Sequence, residues 1–559
     1  MTDYDIRTEY KPNYKTLTMK LIGVFICLLI TNFASAQNDP KWDDTHSKDW
    51  PAECQKVEVT SSMDQSQQPA YFFKAKTDQP RPLIISLHTW SGDYSQKDTL
   101  SWICVNKDYN YIHPNFRGPN RTPEACGSKF VVQDIDDAID YAIQHGNVDV
   151  NDMHIIGVSG GGYATLLCYM KIKHHIQSFS AWASISNLED WYYESVGRKN
   201  KYARDIAETT TGKDFKGNRY RFDAKEARRR SPIFMDTPVA DRQNSKLYIY
   251  TGIHDGYTGS VPITQSLRFF NKVVKDFDPE DQQTPVPTDE MLRLVERQNT
   301  DFLNPGKTEH GDILFRRQYK DKVQINVFEG THEMLIDQAL FPLKAQKVLA
   351  IGDSNGAIPI GWVTQLKQLQ FNDHIYNTCI SGNTIGFDNL NRKSLNTLRN
   401  VDDYMSSAAK ALHGMDKIII MLGTNDCKAV FDDSLKLVPQ NMKKLIEKIK
   451  THPAYKKYHP DIYVVSPPPY ASDDKLIAKY KGGSEDMVWL FPRFKKIAED
   501  EGGTFIDVYH TLIPIWSKYT IDGIHMKVPG QRLVAKSIIK AAWGNNDQQK
   551  QPTVDYFKN

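Results

Sequence analysis

The stretch MHIIGVSGGGY (Met153–Tyr163) decides the first half of the chain, and KVLAIGDSN (Lys347–Asn355) decides the second. In the first, a short run rich in β-branched residues meets glycine, then serine, then more glycine, before the helix-forming ATLLCYMK (Ala164–Lys171). An apolar run of this length, closed by glycine, reads as a buried strand, and the segment after it reads as a helix. Ser159 therefore falls on a strand-to-helix turn, in the pattern G-x-S-x-G at Gly157–Gly161. On so tight a turn side chains beside the serine would clash, which accounts for the glycines. The helix that follows opens with backbone N–H groups lacking intrahelical acceptors, a ready partner for developing negative charge. Position and chemistry together point to a nucleophilic serine.

Working outward, further strands appear at PLIISLH (Pro82–His88), KLYIYTG (Lys246–Gly252) and VQINVFEG (Val323–Gly330), each closed by glycine or a polar turn. Asp255 follows the second of these and His332 the third, giving the chain order Ser…Asp…His. Both are expected at strand C-terminal ends, the edge from which Ser159 emerges. His310 competes as the base, but it precedes its strand and is expected at the opposite edge; His254 reads as a shaping residue beside the acid. An oxyanion hole needs two N–H donors, one from the residue after the nucleophile and one from an earlier strand-end loop. Gly160 supplies the first, and the loop His88–Gly92 supplies the second from Thr89 or Trp90, with His88 either orienting that loop or purely structural. Trp191–Arg230 reads as a lid or insertion ending in a solvated basic cluster (Arg228, Arg229, Arg230), and Asp276–Gly311 as a second excursion.

The region from about Pro82 to Met334 resembles prolyl-oligopeptidase-like α/β-hydrolases, and among them secreted carbohydrate esterases and depolymerase-type esterases. The resemblance rests on HTWSGD (His88–Asp93), GVSGGG (Gly157–Gly162), GIHDGYTGSVP (Gly252–Pro262) and GTHE (Gly330–Glu333). It implies hydrolysis of acyl esters more than of peptides, since no propeller precedes the region.

The second series repeats the strand-and-turn design at KIIIMLGTND (Lys417–Asp426) and DIYVVSPP (Asp461–Pro468), with amphipathic helices between. Four blocks stand in order: Gly352-Asp353-Ser354-Asn355, Gly382-Asn383, Gly423-Thr424-Asn425-Asp426 and Asp522-Gly523-Ile524-His525. Together they resemble the SGNH (GDSL-like) hydrolases, whose family letters carry over to Ser354, Gly382, Asn425 and His525. The resemblance implies Ser354 as nucleophile and an oxyanion held by the N–H groups of Ser354 and Gly382 and the Asn425 amide. In D-x-x-H the acid and base are three residues apart, so one short loop can let Asp522 orient the His525 imidazole. Asn355 departs from the leucine of the GDSL pattern and is expected to touch the surround of the substrate.

The rest of the sequence bounds these readings. At 559 residues, with 40% hydrophobic and 25% charged residues, the chain is too long for one domain and too apolar for wholesale disorder. Its formal charge of +2 lacks the basic excess of a nucleic-acid binder. Residues 1–36 read as a leader: Lys20, the apolar Leu21–Ile30 and the cleavage motif Ala34-Ser35-Ala36 form an export signal, and translation is expected to start at Met19. The apolar core is too short to remain as a membrane span. Residues 37–345 form the expected first domain, 346–545 the second and 546–559 a polar tail. Of seven cysteines, six follow the leader; Cys104–Cys126 and Cys379–Cys427 are the pairs to test, with buried free thiols the alternative. His332-Glu333 lacks the second histidine of H-E-x-x-H and there is no Walker-type loop, so neither metal nor cofactor is expected.

The expected fold class is α/β in two domains, an α/β-hydrolase fold followed by a flavodoxin-like three-layer α/β/α SGNH fold. The expected protein is exported, periplasmic or extracellular, and a bifunctional serine carboxylic-ester hydrolase. Its substrate is expected to be an acylated polysaccharide or oligosaccharide, losing acetyl or related groups. Two other readings stand beside it: a peptidase or general lipase/esterase in the first domain, and a glycan-binding protein with one silent site.

Overall fold

A computed structural model describes residues 48–211, 221–296 and 309–544. The leader, the choice of start at Met1 or Met19 and the polar tail lie outside the described residues. Two sheets follow one another along the chain. The first contains β1 (Gln55–Thr60), β2 (Gln67–Phe73), β3 (Arg81–Leu87), β4 (Asn110–Pro114), β5 (Val148–Val158), β6 (Ser178–Trp182), β7 (Lys246–Gly252), β8 (Ile313–Tyr319) and β9 (Val323–Phe328), in spatial order 1-2-4-3-5-6-7-9-8. Strands β3 to β7 and β9 run parallel; β1, β2 and β8 pair antiparallel at the edges. The central strands are covered on both faces, which is why their sequences are continuous apolar runs rather than alternating ones. Helices Lys129–His145, Gly160–Lys171 and Ile263–Phe277 bury one face, and helix Thr99–Lys107 with Ile336–Lys344 covers the other. This is the α/β-hydrolase arrangement.

The second sheet is wholly parallel, with β10 (Lys347–Gly352), β11 (His374–Asn377), β12 (Lys417–Met421), β13 (Asp461–Val465) and β14 (Thr504–Ile506) in order 11-10-12-13-14. Helices Thr397–Leu412, Leu437–Thr451 and Gly483–Asp500 pack on one face, and Trp362–Leu369 and Val528–Ala542 on the other. Three layers result, as in flavodoxin-like folds.

The two halves join where strands begin. Lys246, the first residue of β7, is fully buried and donates its Nζ protons to the carbonyls of Phe371 (2.6 Å), Asn372 (3.0 Å) and Asp373 (2.6 Å), just before β11. Burial pushes this ammonium below its ordinary pKa. Tyr248 donates to Asn372 Oδ1 (3.0 Å), and the Gln177 amide bridges Asp152 Oδ1 (2.6 Å) and His374 Nε2 (2.9 Å). Three carbonyls satisfied by one buried cation make a joint that costs much to open.

The stretch between β6 and β7 forms helices Leu188–Gly197, Tyr202–Thr211 and Ala224–Arg230. The basic cluster there is not uniformly solvated. Arg228 and Arg229 are exposed and pair with Glu189 and Glu226, whereas Arg230 turns inward and donates to the carbonyls of Pro123, Ala125 and Cys126. Three successive helical residues point in different directions, so one of them must meet the core side. The excursion 276–311 contains helix Thr288–Val295. The six described cysteines are free thiols, and neither expected pair is bridged. Among the described residues no helix is long and apolar enough to cross a membrane, and no cluster could hold a metal ion.

Candidate active sites

Ser159 occupies the turn between β5 and helix Gly160–Lys171 with φ 58° and ψ −116°, a conformation that side chains rarely adopt. The turn survives because its neighbours approach backbone closely: a Cβ on Gly157 would stand 2.3 Å from Gly161 C and O. Ser159 Oγ lies 2.9 Å from His332 Nε2, and His332 Nδ1 lies 2.8 Å from Asp255 Oδ2. The acid's other oxygen accepts from the backbone N–H of Gly256 (2.9 Å) and Val261 (3.0 Å). Its side chain is wholly shielded, and that of His332 is 14% exposed. The carboxylate fixes the ring tautomer with Nδ1 protonated, leaving Nε2 to accept the serine proton.

The loop after β3 meets this serine from the other side. A Cβ on Gly160 would stand 2.2 Å from Trp90 N, so no other residue fits there. Of the two candidate donors, the Thr89 N–H is already given to Gln96 Oε1 (3.0 Å), as is its hydroxyl (2.9 Å). The Trp90 N–H, beside Gly160, makes no backbone hydrogen bond among the described residues. Of the two, the Trp90 N–H is the one that stands beside Gly160 and is not taken by Gln96. His88 is buried, stacks on Phe116 at 3.9 Å and spans the carbonyls of Asn115 and Thr89; burial lowers its pKa to about 4. It braces the loop and does not touch the serine.

His310 differs from expectation. Strand β8 runs antiparallel to β9, with Ile313 opposite Phe328, so the residues preceding β8 lie at the same edge as His332. His310 pairs there with Glu333 at 3.0 Å, and His254 pairs with Glu329 at 2.6 Å. Neither displaces His332 from Ser159.

In the second sheet Ser354, Gly382 and Asn425 follow β10, β11 and β12 at one edge. Ser354 Oγ lies 2.9 Å from His525 Nε2, and His525 Nδ1 lies 2.7 Å from Asp522 Oδ2. The Asp522 Oδ1 accepts from the N–H of Ile524 (3.0 Å) and His525 (2.8 Å), closing the short loop. Burial opposes ionisation of Asp522, but these bonds and His525 hold its pKa below the ordinary value. Unlike Asp255, its side chain is 51% exposed. Asn383 ties the three turns together: it donates to Gly352 O (3.2 Å) and its carbonyl accepts from Asn425 Nδ2 (3.1 Å). Asn389 Nδ2 holds the Gly382 carbonyl at 2.6 Å, which leaves the Gly382 N–H turned the other way.

Asn355 does not face a substrate. It is fully buried; its Oδ1 accepts from Met526 N and Gln531 Nε2 (both 3.1 Å) and its Nδ2 reaches Ile524 O (3.4 Å). It therefore grips the backbone on both sides of His525 from the residue next to Ser354. A leucine of similar size makes none of these bonds. Asn355→Leu is expected to cost about 1–3 kcal/mol in unpaired polar groups. Ser354-dependent kcat is expected to fall by about tenfold or more as the base loosens. Thermal melts and steady-state kinetics of the variant check both parts.

Asp426 closes the third motif block, beside Asn425, with no role of its own in the pattern. It is fully buried, with its oxygens on Ile385 N–H (3.0 and 3.1 Å), and burial raises its pKa to about 7, with Asp353 adding repulsion. The folded state thus binds this proton more tightly than the unfolded one. That stabilisation is complete below about pH 4 and is lost as pH rises through about 7. Asp426→Asn keeps the shape without the charge. Between pH 5 and 8 its melting temperature is expected to fall less than wild type's, by about 3 °C or more; parallel curves would refute this.

Residues 99–284 match the family model described as the prolyl oligopeptidase family, and residues 350–533 match that of the GDSL-like lipase/acylhydrolase family. The chain therefore carries two serine-hydrolase regions, one of each kind. Similar solved structures include a carbohydrate acetylesterase family member from Sinorhizobium meliloti, 23% identical, covering 34% of this chain and 95% of that one at TM-score 0.29. An inhibitor-bound aryl esterase from M. smegmatis is 22% identical, with 36% and 99% covered and TM-score 0.29. Acylaminoacyl peptidase from Pyrococcus horikoshii is 17% identical, with 51% and 38% covered and TM-score 0.33. No curated protein matches the chain significantly.

Proposed function

We propose that this chain is an exported serine carboxylic-ester hydrolase with two independent sites, removing acetyl or related acyl groups from polysaccharides. One observation carries the reading: each sheet ends in a Ser–His–Asp relay with distances of 2.9 and 2.8 Å in one and 2.9 and 2.7 Å in the other. In each site the histidine takes the serine proton as Oγ attacks the ester carbonyl, and the displaced π pair becomes an oxyanion. Gly160 and Trp90 N–H groups receive it at Ser159; Ser354 and Gly382 N–H groups and the Asn425 amide receive it at Ser354. The histidine then protonates the departing alcohol, and water releases the acid from the acyl-enzyme. We assign residues 37–345 to the first unit and 346–545 to the second.

A cavity of about 640 Å³ lies beside Asp522, lined by Tyr509, Trp516, Ser472, Thr520 and Lys475, with neither Ser354 nor His525 in its lining. Its mixed polar and aromatic lining suits a sugar ring. The pattern of Lys20, Leu21–Ile30 and Ala34-Ser35-Ala36, read as an export signal, supports export. A peptidase reading of the first region is favoured by the match of residues 99–284 alone.

The test is acyl release from acetylated xylan, p-nitrophenyl acetate and proline-containing peptides, with a fluorophosphonate used to label active serines. Acetate release with both serines labelled supports the reading. Peptide cleavage that disappears with Ser159→Ala would overturn it for the first region, and two unlabelled serines would leave only glycan binding.

A further inference from the structure

Among the described residues, the insertion between β6 and β7 bonds to the loop after β3 at Trp90 and at Ser91. Trp90, whose backbone nitrogen stands beside Gly160, is 2% exposed and buries its indole beneath the insertion, against Trp191 (centroids 4.7 Å apart) and Tyr202 (6.2 Å). Its Nε1–H donates to Asp205 Oδ2 at 3.1 Å, in helix Tyr202–Thr211. Other ties on this loop come from the hydrolase core: Gln96 holds Thr89, the His88 ring holds Asn115 O, and Asn120 N–H holds Trp90 O at 2.9 Å. One more contact comes from the insertion, Lys201 Nζ to Ser91 Oγ at 2.7 Å, but it is exposed. Asp205 is therefore the group that fixes the Trp90 side chain by a directed bond.

We propose that Asp205 is a positioning residue for catalysis at Ser159, holding the Trp90 N–H on the oxyanion through the Trp90 indole. The inference rests on reading Ser159 as a nucleophile. Oxyanion donors act because they are already aimed when charge develops, and a donor free to swing must be re-aimed in every turnover. A tryptophan whose ring is clamped cannot rotate about its backbone without breaking that clamp. A carboxylate is a costly group to half-bury, and desolvation raises the Asp205 pKa. An apolar contact could fill the same space, but it would not set the direction of the indole. The insertion is thus a working part of the oxyanion hole as well as a cover.

The experiment follows the rate at which an alkyl fluorophosphonate labels Ser159, read by peptide mass spectrometry, with Ser354 in the same chain as reference. Asp205→Ala is expected to slow Ser159 labelling by about 10- to 100-fold and leave Ser354 unchanged. Asp205→Asn, which still accepts from the indole, is expected to stay within about threefold of wild type. In a Ser354→Ala background, kcat on p-nitrophenyl acetate should fall with Asp205→Ala while KM holds. Trp90→Phe should lose as much, and combining it with Asp205→Ala should lose no more. Wild-type labelling in Asp205→Ala, or an Asp205→Asn as slow as alanine, would overturn the proposal. A wild-type Ser159 that takes no label would overturn the reading of the site, and this inference with it.

Discussion

Ser354→Ala is expected to abolish hydrolysis at the second site and leave the first untouched, and Ser159→Ala to do the converse. Without Oγ no acyl-enzyme can form, and what remains is the modest assistance of the oxyanion donors to attack by water. Loss of a serine nucleophile costs on the order of 10⁶ in kcat, so each single variant should be silent at its own site. On a substrate shared by both sites the single variants should each keep the other's share of turnover, and those shares should sum to wild type. The double variant should fall to background. The two relays share no residue and no hydrogen bond, which is why additivity is expected. A single variant that removed all turnover of every substrate would show that one serine alone works.

The second large effect separates the two acids. Asp255 Oδ1 is held by two backbone N–H groups while Oδ2 faces His332, and no water can reach the carboxylate. In Asp255→Asn the amide oxygen must stay on the backbone donors, so the NH₂ group faces Nδ1. That forces the proton onto Nε2, and the base can no longer accept from Ser159. A loss of about 10⁴ in kcat is expected, the cost of the wrong tautomer. Asp522 makes an analogous set of bonds, but half its side chain lies in solvent. In Asp522→Asn the amide can swing out and water can accept from Nδ1, so a loss of only about 10- to 100-fold is expected. Each variant is measured with the opposite serine replaced by alanine. Equal losses would mean that exposure does not govern how the acid acts.

Much of this was legible in the sequence because local rules suffice for it. A strand that must stop at a tight turn leaves its glycines in print, and D-x-x-H places acid and base on one loop whatever surrounds them. The residues that escaped are those whose meaning depends on distant partners. The edge at which His310 lies turns on the direction of β8, and a strand's direction leaves no trace in its own composition. Thr89 and Trp90 are adjacent and equivalent in pattern; what separates them is the side chain of Gln96. Asn355 reads as an exception to a motif until Met526, Gln531 and Ile524 are seen around it. Arg230 looks like its two neighbours, and one step of helical rotation gives it a different fate. Asp426 stands in a motif block, but its burial gave no signal, since a buried carboxylate is spelled the same way as an exposed one.

The joint at Lys246 has a consequence for traffic between the two reactions. Both sheets meet it with the ends at which their strands start, while both serines stand at the ends at which strands finish. At about 3.3 Å per residue, β7 puts roughly 20 Å of sheet between the joint and the edge that carries Asp255 and Ser159, and β10 a similar length before Ser354. At the seam a buried lysine caps three carbonyls. A small molecule set free at either serine leaves from the sheet edge that faces away from the joint. On the function proposed above, the two reactions then run in parallel and not as a relay.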